Sequence, residues 1–149
     1  AWLSTLVQLS RPRSALAEQA MQPAQRKLDD DALAFAVESA RLVIDRHCED
    51  VRLLDVRGLS QVCDFVLVAS GTSDRQAKSV AAELEDLGAE RGFPAYRSNR
   101  DDATTWTVVD FVSMVAHLFE SSRRAYYDLE GLWSDAPLIE FDQSQDQPL

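Results

Sequence analysis

The sequence predicts an α/β fold, a single domain in which a mixed sheet of about five strands is flanked by helices. Three observations support this prediction. The chain has 149 residues, of which 46% are apolar, enough for one domain with a real core. Five short segments are β-rich or alternate along the chain as a strand does. Three amphipathic helical patterns are interleaved with them, in the order helix, hairpin, helix, three strands, helix.

The first helix is predicted from about residue 30 to residue 48, where apolar residues recur three and four positions apart. Three consecutive acids, Asp29–Asp31, suit the positive N-terminal end of this helix. Residues 1–28 precede the helix and are rich in Ala, Ser, Gln and Arg, without a sustained helical face. We expect them to form a mobile N-terminal extension.

A β-hairpin is predicted next, with strands over residues 51–56 and 63–69. Gly58 lies in the connection and can supply the unusual backbone angle that such a turn needs. Residues 65–68 are apolar on both faces, which predicts a central strand that helices cover on each side.

The second helix is expected to follow the turn at residues 70–76, with Thr72 or Ser73 as its N-terminal cap, and to stop at Gly92. Its apolar residues form one stripe, and its acids point outward. A short strand over residues 94–98 should lie near a sheet edge, because the proline at its start cannot donate a ladder hydrogen bond.

Residues 105–119 are predicted to form two antiparallel strands joined by a tight turn at Val112–Ser113. The side chains of the first strand alternate between two sets, Thr105, Thr107, Val109 and Phe111 on one face and Trp106, Val108 and Asp110 on the other. We expect the first set to face the core, with a final helix over residues 120–133 behind it. The second set should look outward, because a dry core tolerates an acid poorly and tryptophan is enriched at protein interfaces.

The charge is unevenly distributed along the chain. Residues 1–28 carry four basic residues and one acid, and the remainder carries 11 basic and 24 acidic residues, a net charge of −13. A body this acidic repels phosphate backbones and suits a basic protein, although acidity can also serve solubility alone. No stretch approaches the roughly 18 apolar residues of a membrane span, so a soluble protein is expected.

The sequence contains one candidate phosphate site and scattered candidate metal ligands. The turn Gly71-Thr72-Ser73 opens a helix and could hold a phosphate with its backbone donors, but the plainer role of a helix cap explains the same residues. The strands supply only isolated acids, Asp55, Asp64 and Asp110, where metal-dependent nucleotidyl transfer needs a cluster. No metal or cofactor is therefore expected.

The cysteines and histidines favour structural roles. Cys48 and Cys63 lack CxxC spacing and are expected to be free thiols in a reducing compartment. His47 precedes Cys48, but helix neighbours point about 100° apart and would not chelate one ion. His117 lies between apolar neighbours in a strand and is expected to be a hydrogen-bonded structural histidine rather than a general base.

Three blocks of the chain resemble the ribosomal silencing factor family, also called Iojap-like. They are SGTSDRQ at 70–76, WTVVDFVSMVAHLF at 106–119 and SRRAYYDLEGLW at 122–133. The resemblance covers about residues 30–135. It defines the expected domain as residues 29–135, followed by a polar C-terminal tail at 136–149. Relatives often have a Gly-Asp-type turn where this chain has Val112-Ser113, which leaves the geometry of that hairpin open.

The resemblance implies a nucleotidyltransferase-like fold without transferase activity, and so a translation repressor rather than an enzyme. Members bind ribosomal protein fourteen, a basic protein of the large ribosomal subunit, and block association with the small subunit when nutrients run short. Carried over by position, the partner surface would comprise Trp106, Val108, Asp110, His117, Arg124 and Tyr127. Some members are dimers, so a homodimer stays open here.

Three alternatives remain open from the sequence. A nucleotidyltransferase or phosphohydrolase would use the Gly71-Thr72-Ser73 turn for phosphate and the strand acids for metal. Residues 1–28, with a net charge of +3, could bind ribosomal RNA directly. Their Arg-rich, acid-poor composition is also typical of organellar transit peptides, with Met21 as an alternative natural start, so a plastid or mitochondrial location stands beside the expected cytoplasmic one.

Overall fold

The structure is a computed structural model that describes residues 22–71, 73–99, 106–121, 131 and 133–141. The elements in chain order are α1 (Pro23–Asp45), β1 (Glu49–Asp55), β2 (Phe65–Gly71), α2 (Asp74–Arg91), β3 (Arg97–Asn99), β4 (Trp106–Asp110) and β5 (Met114–Glu120). The five strands form one mixed sheet, so the predicted α/β class is confirmed.

The strands are ordered β1-β2-β5-β4-β3 across the sheet. Strands β2 and β5 run parallel, and β1–β2, β4–β5 and β3–β4 are antiparallel pairs. Strand β2 is buried at every position, which confirms the predicted central strand. Strand β3 lies at an edge, as predicted, but it begins at Arg97 rather than at Pro94, which lies in the connection before it. Gly58 adopts the expected positive φ of 80° between β1 and β2.

The sheet has two distinct faces. Both described helices pack on one of them, the inner face. The strand residues of the inner-face core are Leu53, Phe65, Leu67, Ala69, Val109, Met114, Ala116 and Leu118. The opposite, outer face carries a smaller buried cluster, Leu54, Val56, Cys63, Val66, Val68 and Phe119, against which Trp106, Val115, Trp133 and Ala136 pack.

Helices α1 and α2 back the inner set of β4. Trp133, at the end of the segment predicted as the final helix, packs against the outer-face cluster. Most of the predicted final helix lies outside the described residues. Helices cover β2 on the inner face. On the outer face, the described residues that pack with β2 include Val56 and Cys63, which lie outside helices and strands.

Helix α1 begins earlier than predicted, at Pro23, and ends at Asp45. A proline is pre-organised for the first helical turn, where its missing N–H costs no hydrogen bond. Residues 23–28 are exposed and carry no apolar stripe, so hydrophobic periodicity could not detect them. The expected mobile extension at 1–28 is wrong for residues 23–28, which are helical, and residues 1–21 lie outside the described part of the chain.

Helix α2 has the predicted boundaries. The Ser73 hydroxyl accepts a hydrogen bond from the Gln76 N–H at 3.1 Å, and Gly92 closes the helix with a φ of 83°. Ser73 is thus the N-terminal cap of α2, and Thr72, the other candidate, lies outside the described residues. The cap confirms the structural interpretation of this turn.

Residues 136–141, expected to belong to a C-terminal tail, pack on the domain instead. The Asp55 N–H donates to the Pro137 carbonyl at 2.9 Å, and the Ile139 N–H donates to the Leu53 carbonyl at 2.8 Å. Ile139 and Phe141 also contact the inner-face core. This segment covers the free edge of β1, which would otherwise expose unpaired backbone groups to other chains.

The hairpin between β4 and β5 contains a strained residue. Val112 has a φ of 71°, and the Ser113 N–H donates to the Phe111 carbonyl at 2.9 Å, which closes a γ-turn centred on Val112. A β-branched residue in this region costs about 1–3 kcal/mol. The Asp110 carboxylate accepts the Val112 N–H at 2.8 Å and holds the turn.

We expect Val112→Gly to raise the free energy of unfolding by about 1 kcal/mol, since glycine removes the strain and only part of that gain is lost to the added freedom of the unfolded chain. Val112 is 57% exposed, so little buried area is lost. The midpoint of urea unfolding measures the effect. Val112→Ala is the matched control, because it keeps the Cβ atom and should gain less; equal midpoints for the glycine and alanine variants would contradict the assigned strain.

Candidate docking face

The outer face of β4 and β5 carries a continuous set of paired side chains. Across the two strands, Trp106 lies opposite Phe119, Val108 opposite His117, and Asp110 opposite Val115. All six side chains share the outer face because alternate residues of a strand point the same way. We call these six residues the docking face.

The predicted alternation along β4 is confirmed. Thr107, Val109 and Phe111 are buried on the inner side, whereas Trp106, Val108 and Asp110 are half-buried. Thr105 lies outside the described residues. Strand β4 therefore has one covered side and one partly accessible side, as predicted.

Trp106 is fixed from below and partly accessible from above. Its ring stacks on that of Phe119, with centroids 5.1 Å apart and an interplanar angle of 27°. Phe119 itself is fully buried. The indole Nε1–H donates a hydrogen bond to His117 Nδ1 at 3.1 Å. A large aromatic side chain with its polar atom already bonded presents mainly an apolar ring to a partner.

His117 is neutral at physiological pH. Burial lowers its pKa to about 4, and the nearby Asp110 carboxylate opposes that shift only in part. Because Nδ1 accepts a hydrogen bond, the single proton of the neutral ring resides on Nε2. This is the hydrogen-bonded structural histidine that the sequence predicted.

Asp110 is more constrained than predicted. One carboxylate oxygen accepts the Val112 N–H at 2.8 Å, and the other lies 3.6 Å from Nη2 of Arg97, the residue opposite it on β3. Its side chain is 18% exposed, and that of Arg97 is 76% exposed. Asp110 therefore fixes the hairpin and pairs with a base, rather than presenting a bare carboxylate to a partner.

Sequence reasoning missed Arg97 and its neighbour Tyr96 as parts of this surface. Tyr96 is exposed, its N–H donates to the Asp110 carbonyl at 2.7 Å, and the Arg97 guanidinium lies 5.4 Å from its ring centroid. The signal that could have found them is the register of β3 on β4, which places Arg97 opposite Asp110. A three-residue strand gives no periodicity from which to read that register.

The strand acids do not meet the phosphate turn. Gly71 is the last residue of β2, and its neighbour on β5 is Glu120, the last residue of that strand. Asp55 lies opposite Phe65, at the start of β2, and Asp64 immediately precedes that strand. The two ends of β2 are about 20 Å apart. A metal held by these acids could not act on a phosphate at Gly71.

Asp110 lies at the same end as the other two acids, because its neighbour Val115 pairs with Val66 on β2. Asp55 is engaged by the Arg57 guanidinium at 3.0 and 2.8 Å. Among the described residues, no group of three or more His, Cys, Asp or Glu side chains is placed to hold a metal ion. The nucleotidyltransferase or phosphohydrolase alternative is therefore wrong, because it required the strand acids to lie beside the Gly71 turn.

The two cysteines are free and buried. Burial raises the pKa of Cys48 to about 11 and that of Cys63 to about 12. Thiols with so little thiolate at neutral pH are poor nucleophiles and poor metal ligands. Neither cysteine contributes chemistry to the docking face.

Two predicted partner residues, Arg124 and Tyr127, lie outside the described residues, and nothing places them relative to Trp106. Neither α1 nor α2 is long and apolar enough to cross a membrane, and no other helix that the structure describes is either. The described part of the candidate site is therefore the face around Trp106, with Arg97 and Tyr96 at its hairpin end.

Comparison with known proteins identifies the family. Residues 14–148 match the family model described as ribosomal silencing factor during starvation. The chain is 38% identical over 103 residues to a ribosomal silencing factor of Bacillus subtilis, an alignment that covers 69% of this chain and 87% of the relative. It is 35% identical over 124 residues to the chloroplastic Iojap protein of Arabidopsis thaliana, covering 80% of this chain and 52% of that protein.

A crystal structure of a Bacillus halodurans protein superposes with a TM-score of 0.59 at 34% identity, covering 73% of this chain and 96% of that one. The shared architecture agrees with the five-stranded sheet and two helices described above. The family comprises ribosome-associated regulators rather than enzymes. The chain belongs to the ribosomal silencing factor family.

Proposed function

We propose that the protein represses translation by binding ribosomal protein fourteen on the large ribosomal subunit and thereby blocking association with the small subunit. The observation that carries the proposal is the docking face, a sheet surface on which a half-buried tryptophan is stacked on a buried phenylalanine, with the half-buried Val108 next to it on the same side of β4. Membership of the family supplies the ribosome as the target.

The chemistry of the docking face suits a protein partner. Binding energy at such interfaces concentrates in a few aromatic or arginine anchors near the centre of a contact of about 800 Å² per partner. Trp106 is held by stacking and by a hydrogen bond before any partner arrives. Ordering it on binding therefore costs little entropy, which favours affinity.

The charge of the chain favours a basic partner. The net charge of −13 on residues 29–149 would attract a basic ribosomal protein and repel exposed ribosomal RNA. Such long-range attraction raises the association rate and weakens as salt rises. We assign recognition to the apolar docking face and steering to the acidic body.

Repression in this proposal is steric. A protein bound where the two subunits meet excludes the small subunit by volume, so no group on the chain has to donate a proton, hold a metal or bind a nucleotide. Arg124 and Tyr127 are proposed to extend the contact, as the resemblance implied. The proposed compartment is the cytoplasm, with the chloroplast as the alternative that the Iojap relative suggests, and a homodimer of the unbound protein remains a prediction.

The test measures the association of the two ribosomal subunits by light scattering. Purified large subunits are incubated with increasing amounts of the protein, and small subunits are then added. We expect the extent of association to fall and to level off near one protein per large subunit. In the control, small subunits are incubated with large subunits before the protein is added, and unbound protein is then removed. The extent of subunit association should then stay unchanged.

Two further measurements locate the contact. Cosedimentation with large subunits at graded salt should weaken as salt rises, and cross-linking should recover ribosomal protein fourteen. Asp86→Lys, a charge change at an exposed position of α2, serves as a control and should still block association. Full association of subunits while the protein remains bound to the large subunit would contradict the steric mechanism.

A further inference from the structure

The geometry points to His117 as a positioning residue of the docking face: it accepts the indole N–H of Trp106 and selects one of two ring orientations. This inference rests on the proposed function, because it assigns a role within the proposed docking contact. It gives His117 a role beyond membership of the expected partner-contacting set.

The stacking contact alone does not orient the indole. The χ2 torsion of a tryptophan is broad and roughly two-fold, so rotation by about 180° keeps the ring plane while it exchanges its two edges. Only the observed orientation brings Nε1 to 3.1 Å from His117 Nδ1. The hydrogen bond therefore favours this orientation over the rotated one.

The surroundings of His117 suit a hydrogen-bond acceptor. Its ring lies beside the stacked pair, with centroids 5.7 Å from Trp106 and 6.2 Å from Phe119. Burial keeps the imidazole uncharged, with a pKa of about 4. An imidazolium would donate from both nitrogens and could not accept the indole N–H, so the neutral ring preserves the bond throughout the physiological range.

The orientation matters because the two indole edges differ. With Nε1 turned towards His117, the remaining accessible ring surface is apolar and needs no hydrogen bond from a partner. In the rotated state the N–H would lie under the partner without an acceptor. An unpaired buried donor opposes binding, so removal of the acceptor should weaken docking by about three- to tenfold.

The experiment uses the full chain with His117→Leu and His117→Asn. The two substituents have nearly the same shape, and asparagine can place its Oδ1 near the position of Nδ1, whereas leucine offers no acceptor. Leucine also removes a buried polar group without opening a cavity, so the variant should fold. Urea unfolding of both variants checks this.

The first readout is the NMR signal of the Trp106 indole N–H in the free protein. It is assigned by its disappearance in Trp106→Phe, since the chain has three tryptophans. We expect the signal of His117→Leu to shift and to exchange faster with water, and that of His117→Asn to return towards the wild-type position. An unchanged signal in His117→Leu would overturn the orienting role, whatever the ribosome binding.

The second readout is cosedimentation with purified large subunits in a double-mutant cycle. His117→Leu should weaken binding about three- to tenfold in the wild-type background and by less than twofold in the Trp106→Phe background, where no indole N–H remains to orient. An equal loss in both backgrounds would show that His117 acts without Trp106 and would overturn the proposal.

The two arms also separate this inference from the proposed function. If Trp106→Ala left ribosome binding unchanged, the docking face and the docking half of this inference would both be contradicted. The NMR arm would still decide whether His117 orients the indole. If Trp106→Ala abolished binding but His117→Leu preserved it, the docking face would stand and the positioning role would fail.

Discussion

Trp106→Ala is expected to weaken binding of the protein to large ribosomal subunits by about 30-fold or more, which corresponds to about 2 kcal/mol for a central aromatic anchor. The physical reason is the loss of an accessible ring that Phe119 and His117 hold in place before binding. Cosedimentation at fixed salt measures the change. In the subunit association assay, the variant should require a correspondingly higher concentration to block joining.

A loss of binding could also arise because the variant is less stable, so the control is a variant that lowers stability without altering the docking face. Val109→Ala lies on the same strand but on the inner face, where Val109 is fully buried. It should lower the free energy of unfolding by about 1–3 kcal/mol and leave ribosome binding intact. Equal binding losses in Trp106→Ala and Val109→Ala would contradict the docking face.

The elements that periodicity specifies could be predicted from the sequence. The alternation from Thr107 to Phe111 predicted which side of β4 is buried, because a strand has a strict period of two. The uninterrupted apolar run in β2 predicted a central strand, and Ser73 and Gly92 marked the ends of α2. Each of these signals is local, and each was confirmed.

The parts that depend on contacts between distant segments could not be predicted in this way. The pairing of Arg97 with Asp110 follows from the register of β3 on β4, which a strand of three residues does not encode. The return of residues 136–141 to the edge of β1 depends on two backbone hydrogen bonds that leave no trace in composition.

The candidate site divides in the same manner. Trp106, Val108 and Asp110 follow from the pattern of one strand, together with the rule that a dry core excludes an acid. The hydrogen bond from Trp106 to His117 joins residues 11 positions apart, and it exists because Val108 and His117 are neighbours across the hairpin. Sequence reasoning named both side chains without revealing that one holds the other.

Gly88 is a second position where a tertiary contact decides the outcome, and we expect a large effect on stability there. In an exposed helix interior, replacing glycine with alanine stabilises a protein by about 1 kcal/mol, since alanine is the better helix former. Here the added methyl group would overlap the Phe93 carbonyl oxygen and lie 2.7 Å from Cε1 of the Phe111 ring. Helix propensity and packing therefore predict opposite signs for Gly88→Ala.

Packing should prevail because neither neighbour can yield easily. The Phe93 oxygen belongs to the backbone, and the Phe93 N–H is bonded to the Gly88 carbonyl at 2.7 Å. Phe111 is held by an edge contact with the Phe35 ring, whose centroid lies 5.1 Å away, and Phe35 in turn stacks on Phe93. Overpacking of this kind costs about 1–3 kcal/mol or more after relaxation.

We therefore expect Gly88→Ala to lower the free energy of unfolding by about 2 kcal/mol, measured as a lower midpoint in urea. Ser79→Ala in the same helix is the control: Ser79 is exposed, so a smaller gain in helix propensity of the same sign should appear there without a clash, as a small rise in stability. A rise in both variants would show that the Phe93 and Phe111 contacts relax freely, and that α2 does not depend on glycine to approach the end of β4.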